Sequence, residues 1–497
     1  MSGSAAVATG IFAAAMVLVL VVGTLSARGR AGGLTEWSLS GRRLGIVFVW
    51  LLMAGESYTS FSFLGTAGWS YAYGVPILYL VAYLTVGLTI AYVVAPMMWT
   101  YASRHQLVSM ADIAEHRFSS RRMGVLVALV ATVFLVPYIQ LQIQGMGAVV
   151  GAMTYGAVDA KAAAVIAFLV AEGFILVSGL RGSAWVSALK DVLVIAVVLF
   201  LAIYLPWHYF DGIGGLLDRM VAERPQWLTF PGHHSGSLGG AWFVSTVLLN
   251  GLTLSVFPNN VSAYLSAKDP NTLRRNSILL PWYQLLLFIP MMIGVAALFV
   301  VPALRDSDLA LYTLVTDSLP APVVALIGVA GALSAIVPMS VFMLALGTMW
   351  GRTVLGGGLT GRRASDARQK RLAQLVCFLV GLVALVGALF VPVLLVRLSV
   401  LSYEGFAQLV PPVLLALLWK SMTVRGAVCG LAAGLAVTVS LVWSGNDPLF
   451  GVNAGLIALG VNVAVNATVS RFDARGPRRP RVSAATPSAM PPTAPRP

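Results

Sequence analysis

Apolar stretches long enough to cross a bilayer recur thirteen times along this chain, and one of them carries a polar centre. A helical crossing takes roughly 20 residues. The runs lie at approximately 5–27, 44–72, 76–100, 122–150, 161–180, 184–207, 240–263, 277–303, 321–350, 372–396, 398–419, 424–444 and 450–470. Charged residues make up only 10% of the chain, against about 25% in soluble domains. In lipid, backbone groups must be satisfied within the segment, which leaves helices for spans of this kind. The sequence therefore predicts an all-α integral membrane protein of about thirteen transmembrane helices.

The second run is the unusual one. Its middle reads Gly55-Glu56-Ser57-Tyr58-Thr59-Ser60-Phe61-Ser62-Phe63-Leu64-Gly65-Thr66-Ala67-Gly68. A helix can unwind there only where the freed N–H and C=O groups face a cavity, an ion or protein. Glycine with hydroxyls suits a discontinuous binding helix. The same residues also suit close helix packing.

Spans 2–6 and 7–11 form two sets of five, and an odd number of spans per repeat gives the halves opposite topology. Span 7, the counterpart of span 2, reads Asn250-Gly-Leu-Thr-Leu-Ser-Val-Phe-Pro-Asn-Asn-Val-Ser262. Gly251, Pro258 and Asn259-Asn260 interrupt it; proline removes a donor and clashes with the preceding turn. Interruptions at matching positions of two halves point to a transport site. The expected organisation is an extra helix and loop (1–43), a first repeat (44–207), an outer loop (208–239), a second repeat (240–420), two further helices (421–470) and a disordered basic tail (471–497).

Charge sets an orientation. With the N-terminus outside, Lys161, Arg219, Arg224, Arg305 and Arg397 fall outside, Lys190 lies in a span, and every other Lys or Arg falls inside. The formal charge of +14 then reflects loops facing anionic lipid and not nucleic acid. Arg28 and Arg30 follow the first apolar run, so it reads as an uncleaved span and not as a signal peptide. Cys377 and Cys429 both sit in apolar runs, which predicts no disulfide framework. His233-His234 in the outer loop lacks neighbours at metal-ligand spacing. Ser109 before Asp112 suits the N-cap of a short interfacial helix.

These residues resemble the sodium:solute symporters, over roughly residues 5–470. The resemblance is carried by the broken span 2, Ser178-Gly-Leu-Arg-Gly-Ser-Ala-Trp185, Lys268–Arg275 and Gln408-Leu-Val-Pro-Pro412. Within the family the chain is most similar to bacterial monocarboxylate permeases, through Val136-Pro-Tyr-Ile-Gln-Leu-Gln-Ile-Gln-Gly145, Lys190-Asp191, Leu273–Pro281 and Val337-Pro338. The resemblance implies a five-plus-five inverted-repeat (LeuT-like) core. It also implies a sodium ion between span 2 and span 9, on carbonyls of Gly55, Tyr58 and Ala335. Two adjacent hydroxyl residues complete the family's set, but here those positions read Pro338-Met339. Methionine sulfur is a poor ligand for a hard cation. Ser340, or the Ser334 carbonyl that Pro338 frees, can rebuild a weaker site; otherwise a proton is the coupling ion.

Ionisable residues within spans are functional candidates. Glu56 can hold a cation, carry a proton or bond unwound backbone. Glu172 in span 5 can carry a proton or serve as a structural hydrogen-bond partner. Lys190, Asp191 and Arg181 read as an ion-pair cluster orienting the end of span 6, and Glu404 as a partner of Arg397. Ser57, Thr59, Ser62, Gln140, Gln144, Asn250, Phe257 and Asn259 are the expected substrate-binding set. Gln140 and Gln144 share a helix face, while Gln142 points elsewhere.

The reading is a symporter of the cell membrane, not an enzyme. It imports a small organic solute, a short monocarboxylate such as pyruvate, lactate or acetate, with Na⁺ or H⁺ and no other cofactor. Four spans rock against a scaffold. Its partners are the solute and the bilayer; no nucleic acid is expected and nothing points to a protein partner. The alternatives are a Na⁺-coupled symporter of an amino acid or sugar, or a transporter-derived sensor.

Overall fold

The computed structural model describes residues 3–26, 32–233, 237–357, 364–391, 393 and 395–475. The expected tail beyond residue 475, Arg28, Arg30 and His234 lie outside the described residues. The chain order is α1 (Gly3–Leu25), α2 (Ile46–Ser57), α3 (Phe61–Tyr73), α4 (Tyr79–Arg104), α5 (Met110–Phe118) and α6 (Arg121–Met153). There follow α7 (Ala160–Ser178), α8 (Leu180–Phe210), α9 (Ile213–Glu223), α10 (Gly240–Leu254), α11 (Pro258–Ser266) and α12 (Pro270–Val300). The last are α13 (Ala310–Ser318), α14 (Ala321–Val354), α15 (Asp366–Phe390), α16 (Arg397–Leu418), α17 (Val424–Trp443) and α18 (Ala454–Arg475). Among the described residues, 11 helices are long and apolar enough to cross a membrane, and two bent pairs raise this to 13.

The bent pairs are α2 with α3, at 57°, and α10 with α11, at 43°. They are the first spans of the two predicted halves. In the first, Tyr58 leaves the helical region at φ −94°, ψ 83°. In the second, Phe257 is extended at φ −62°, ψ 131°, and Pro258 opens α11, where a missing N–H costs nothing. Gly251, expected to interrupt span 7, lies within α10. It lets that helix approach α4, where a Cβ would come within 2.8 Å of Val86.

Around the breaks, α14 forms the centre of the packing, enclosed by α1, α6, α7, α8 and α15. All its residues from Ile327 to Met349 are buried. Leu44, two residues before α2, also pairs with the end of α11: Leu44 N–H donates to Ser266 O (3.1 Å) and Lys268 N–H to Leu44 O (3.0 Å).

On the face rich in arginine, Ser109 caps α5 as the sequence suggests, accepting from Asp112 N–H at 3.2 Å. Asp112 then forms an ion pair with Arg352 (2.6 Å) and accepts from Thr353 Oγ1 (2.7 Å), and Arg117 donates to Ala416 O and Trp419 O. The short α5 thereby ties the ends of α14 and α16 together. On the opposite face, the long loop is fastened to the end of α3. Trp227 Nε1 donates to Tyr71 O (3.0 Å), and His233 N–H to Tyr73 O (3.1 Å). The His233 ring stacks on Trp227 with centroids 3.8 Å apart. Among the described residues no cluster of three His, Cys, Asp or Glu is placed to hold a metal.

Candidate functional site

Unwinding α2 from α3 frees backbone groups, and each must find a partner away from lipid. Ser62 Oγ donates to Ser57 O at 2.8 Å. Gln142 Oε1, on α6, accepts from Ser60 N–H at 3.1 Å. Lys190 Nζ, on α8, donates to Gly55 O at 2.6 Å and Tyr58 O at 3.2 Å. Protein groups thus hold the break open, so the bend is a built feature. At the second break Asn260 Nδ2 donates to Leu254 O at 2.9 Å.

The two breaks meet. Asn259 Nδ2 on α11 donates to Glu56 Oε2 on α2 at 2.7 Å. Glu56 Oε1 and Asn259 Oδ1 are buried without a hydrogen-bond partner. Beside this pair lies a small cavity of about 30 Å³, room for little more than a water molecule. Glu56, Ser57, Ser62, Asn259 and Asn260 give it polar walls. Phe61, Tyr83, Leu84, Tyr138, Leu254, Phe257, Phe342 and Tyr403 supply the rest. The Tyr83 and Tyr403 hydroxyls lie 3.0 Å apart, and the Phe257 and Tyr403 ring centroids 4.6 Å apart.

Of the residues expected to bind substrate, Ser57, Ser62, Phe257 and Asn259 line this cavity. Thr59 is buried behind it, with Oγ1 accepting from Ser62 N–H at 3.3 Å. Three others do not line it. Gln140 and Gln144 face the α15–α16 connection, where their amides donate to Val391 O (2.8 Å) and Val393 O (3.4 Å). The amide that reaches the break is Gln142, on the other face of α6. Asn250 is buried but not on the lining, because α10 stays helical for another turn before it breaks. Tyr83, Phe342 and Tyr403 were not singled out; a tyrosine or phenylalanine in an apolar run carries no signal that separates a cavity wall from core.

Among the intramembrane charges, Glu172 is buried away from the cavity beside Gly381. Neither of its oxygens has a hydrogen-bond partner, so the structural hydrogen bond expected of it is not formed. Glu404 is buried against Gly455, and no ion pair joins it to the exposed Arg397 among the described residues. Lys190 and Asp191 form an ion pair at 3.1 Å. The pair sits at the break of span 2 and not in a cluster with Arg181 at the end of span 6.

The expected sodium ligands fit the ion poorly. The Gly55 and Tyr58 carbonyls already accept from Lys190. Ser340 Oγ donates to Val337 O at 2.6 Å and lies 2.8 Å from Ser183 Oγ. Ala335 is buried in α14, but the side chain of that helix beside Gly55 is Val337. Pro338 and Met339 offer no side-chain oxygen.

Paired broken helices that meet at a small cavity in a multi-pass helical protein define a secondary membrane transporter. The chain belongs to the sodium:solute symporter family, which matches residues 37–434. It is 36% identical over 471 residues to the uncharacterized symporter YhjB of Bacillus subtilis, covering 92% of this chain and 95% of that protein. It is 25% identical over 484 residues to a monocarboxylate transport permease protein of Rhizobium johnstonii, covering 93% and 96%. A solved Na⁺-coupled sialic acid symporter in a substrate-bound, outward-open state superposes with a TM-score of 0.77 at 14% identity, covering 94% of this chain and 98% of that one. The fold is accordingly the five-plus-five inverted-repeat core, and the chain is a symporter and not an enzyme. Family membership implies a small-molecule solute and Na⁺ as coupling ion.

Proposed function

We propose that this symporter imports a short monocarboxylate across the cell membrane, with the N-terminus outside and the arginine-rich face in the cytoplasm. The observation that carries the reading is the small cavity at the junction of the two breaks, bounded by Glu56, Asn259 and aromatic side chains. Its mixed polar and aromatic lining suits a small solute, for which the spans around it must first move apart. The second N–H of the Asn260 amide supplies a donor for a carboxylate, and the Ser57 and Ser62 hydroxyls, which donate to Met53 O and Ser57 O, supply one only by turning from the backbone. The name of the Rhizobium relative supports this solute class. Rocking of the spans that carry α2, α3, α10 and α11 against the rest opens the cavity to each side in turn.

Glu56 favours a second coupling ion beside the sodium that the family implies. A carboxylate solute next to an ionised Glu56 meets like charge at close range in a medium of low dielectric. A proton on the unpartnered Oε1 removes that repulsion and adds a donor. The proton then crosses with the solute.

The test is uptake of labelled pyruvate, lactate and acetate into proteoliposomes under a Na⁺ gradient and, separately, a pH gradient. Concentrative uptake of at least one is expected. Uptake under a pH gradient alone assigns the proton, and Glu56→Gln then abolishes accumulation against a gradient. Absence of uptake of all three under both gradients refutes the substrate class.

A further inference from the structure

We infer that Lys190 is the resident cation of the carbonyl pair at the break of span 2, and that its ammonium excludes Na⁺ from that position. The α2 helix ends at Ser57, and the last carbonyls of a helix have no partners within it. They also form the negative end of its dipole, where a positive charge is favoured. A free Na⁺ is one way to meet both needs. Here the need is met from α8. An ammonium has three donors and no acceptor, and three acceptors surround this one: Gly55 O at 2.6 Å, Tyr58 O at 3.2 Å and Asp191 Oδ1 at 3.1 Å.

The placement is built into the packing. Lys190 is 0% exposed. Ser187, one turn earlier, donates from Oγ to Leu51 O at 2.6 Å and holds α8 against α2. The approach is possible because residue 55 is glycine: a Cβ there would overlap Ser187 Oγ. Asp191 supplies the counter-charge, and Tyr283 donates to the same Oδ1 at 3.2 Å. Glu56 is the other charged group facing the lysine.

The remaining positions agree. A sodium ion here would need oxygens from α14, but Pro338-Met339 offers none and Ser340 Oγ is engaged with Val337 and Ser183. Removing the ammonium leaves two carbonyls and the Asp191 carboxylate around a vacated space, which is a donor set for a hard cation. The inference concerns one ion position. It rests on the transport reading only for its consequence, that a sodium gradient does not act through this carbonyl pair.

The experiment is equilibrium binding of ²²Na⁺ to purified wild type, Lys190→Ala and Lys190→Thr without any solute, so a wrong substrate does not affect it. Each variant is expected to bind an additional Na⁺ per chain relative to wild type. Added Na⁺ should raise its unfolding temperature while choline does not. Equal Na⁺ stoichiometry in wild type and variants overturns the inference. Should neither variant fold, the wild-type structure at saturating Na⁺ decides: Nζ within hydrogen-bond reach of both carbonyls upholds it, and an ion there with the lysine displaced overturns it.

Discussion

The hydrogen bond between Glu56 and Asn259 joins the two broken spans side chain to side chain at their breaks, and its strength is measurable. Each side has one partnered and one unpartnered polar atom. Asn259→Leu therefore leaves a buried carboxyl with no partner at all, and Glu56→Met leaves a buried amide in the same condition. A stranded group of this kind costs about 1–3 kcal/mol, more when charged, whereas replacing both partners by apolar groups of similar shape is close to neutral. The two single variants should each be clearly destabilised and the double variant much less so. Single costs of that size with a nearly neutral double variant give a coupling energy of about 2 kcal/mol or more. The assay is a double-mutant cycle on unfolding free energy in detergent, with pyruvate uptake measured in parallel. Glu56→Gln is the control, since its side-chain oxygen still accepts from Asn259. Single effects that add to within about 0.5 kcal/mol, the scatter of independent sites, would refute the direct link.

Other consequences follow from the same geometry. Gly55→Ala pushes Ser187 away and separates α8 from α2, so it should destabilise by about 1–3 kcal/mol, the usual cost of overpacking, read as a lowered unfolding temperature. Gln142→Leu strands the Ser60 N–H and should cost about 1–3 kcal/mol; Gln140→Leu, which removes an amide bonded to Gln144 and Val391 O away from the cavity, should leave solute affinity unchanged. Asp308, in the loop against Gly68 of α3, has its carboxyl pushed up to about 6, by burial first and then by the charge of Asp306. A raised carboxyl favours the folded state below the ordinary value of 3.8 and loses that advantage as pH rises through 6. Unfolding temperature should therefore fall between pH 4 and 6.5, and Asp308→Asn should flatten the slope.

Much of the architecture was legible. Apolar run length gave the spans, and the placement of glycine, hydroxyls and Pro258 gave both breaks, because lipid makes such residues costly unless protein receives them. The side-chain assignments were less legible, for a geometric reason. Gln140, Gln142 and Gln144 alternate around α6, and their shared chemistry does not say which face meets the break. Lys190 and Asp191 read as a helix-end pair because α8 was placed by length alone. Only the close approach at Gly55 shows that a long side chain from α8 reaches the carbonyls of α2. The resemblance to the family pointed to those carbonyls as sodium ligands; in the structure they accept from Lys190, far along the chain.

The central helix α14 has a consequence of its own. From Ile327 to Met349 it meets protein on every side, although its composition is that of a lipid-facing segment. Its residues therefore answer to shape and not to oiliness. Gly328 and Gly331, which abut Met153 and Tyr312, should tolerate no larger apolar residue, even though a hydropathy scale would score that exchange as an improvement. In α15, exposed Leu379 and Val383 should accept almost any apolar residue. Variation across homologous chains should thus run opposite to hydrophobicity: a helix whose apolar character never changes can still be the one whose individual residues are least free to.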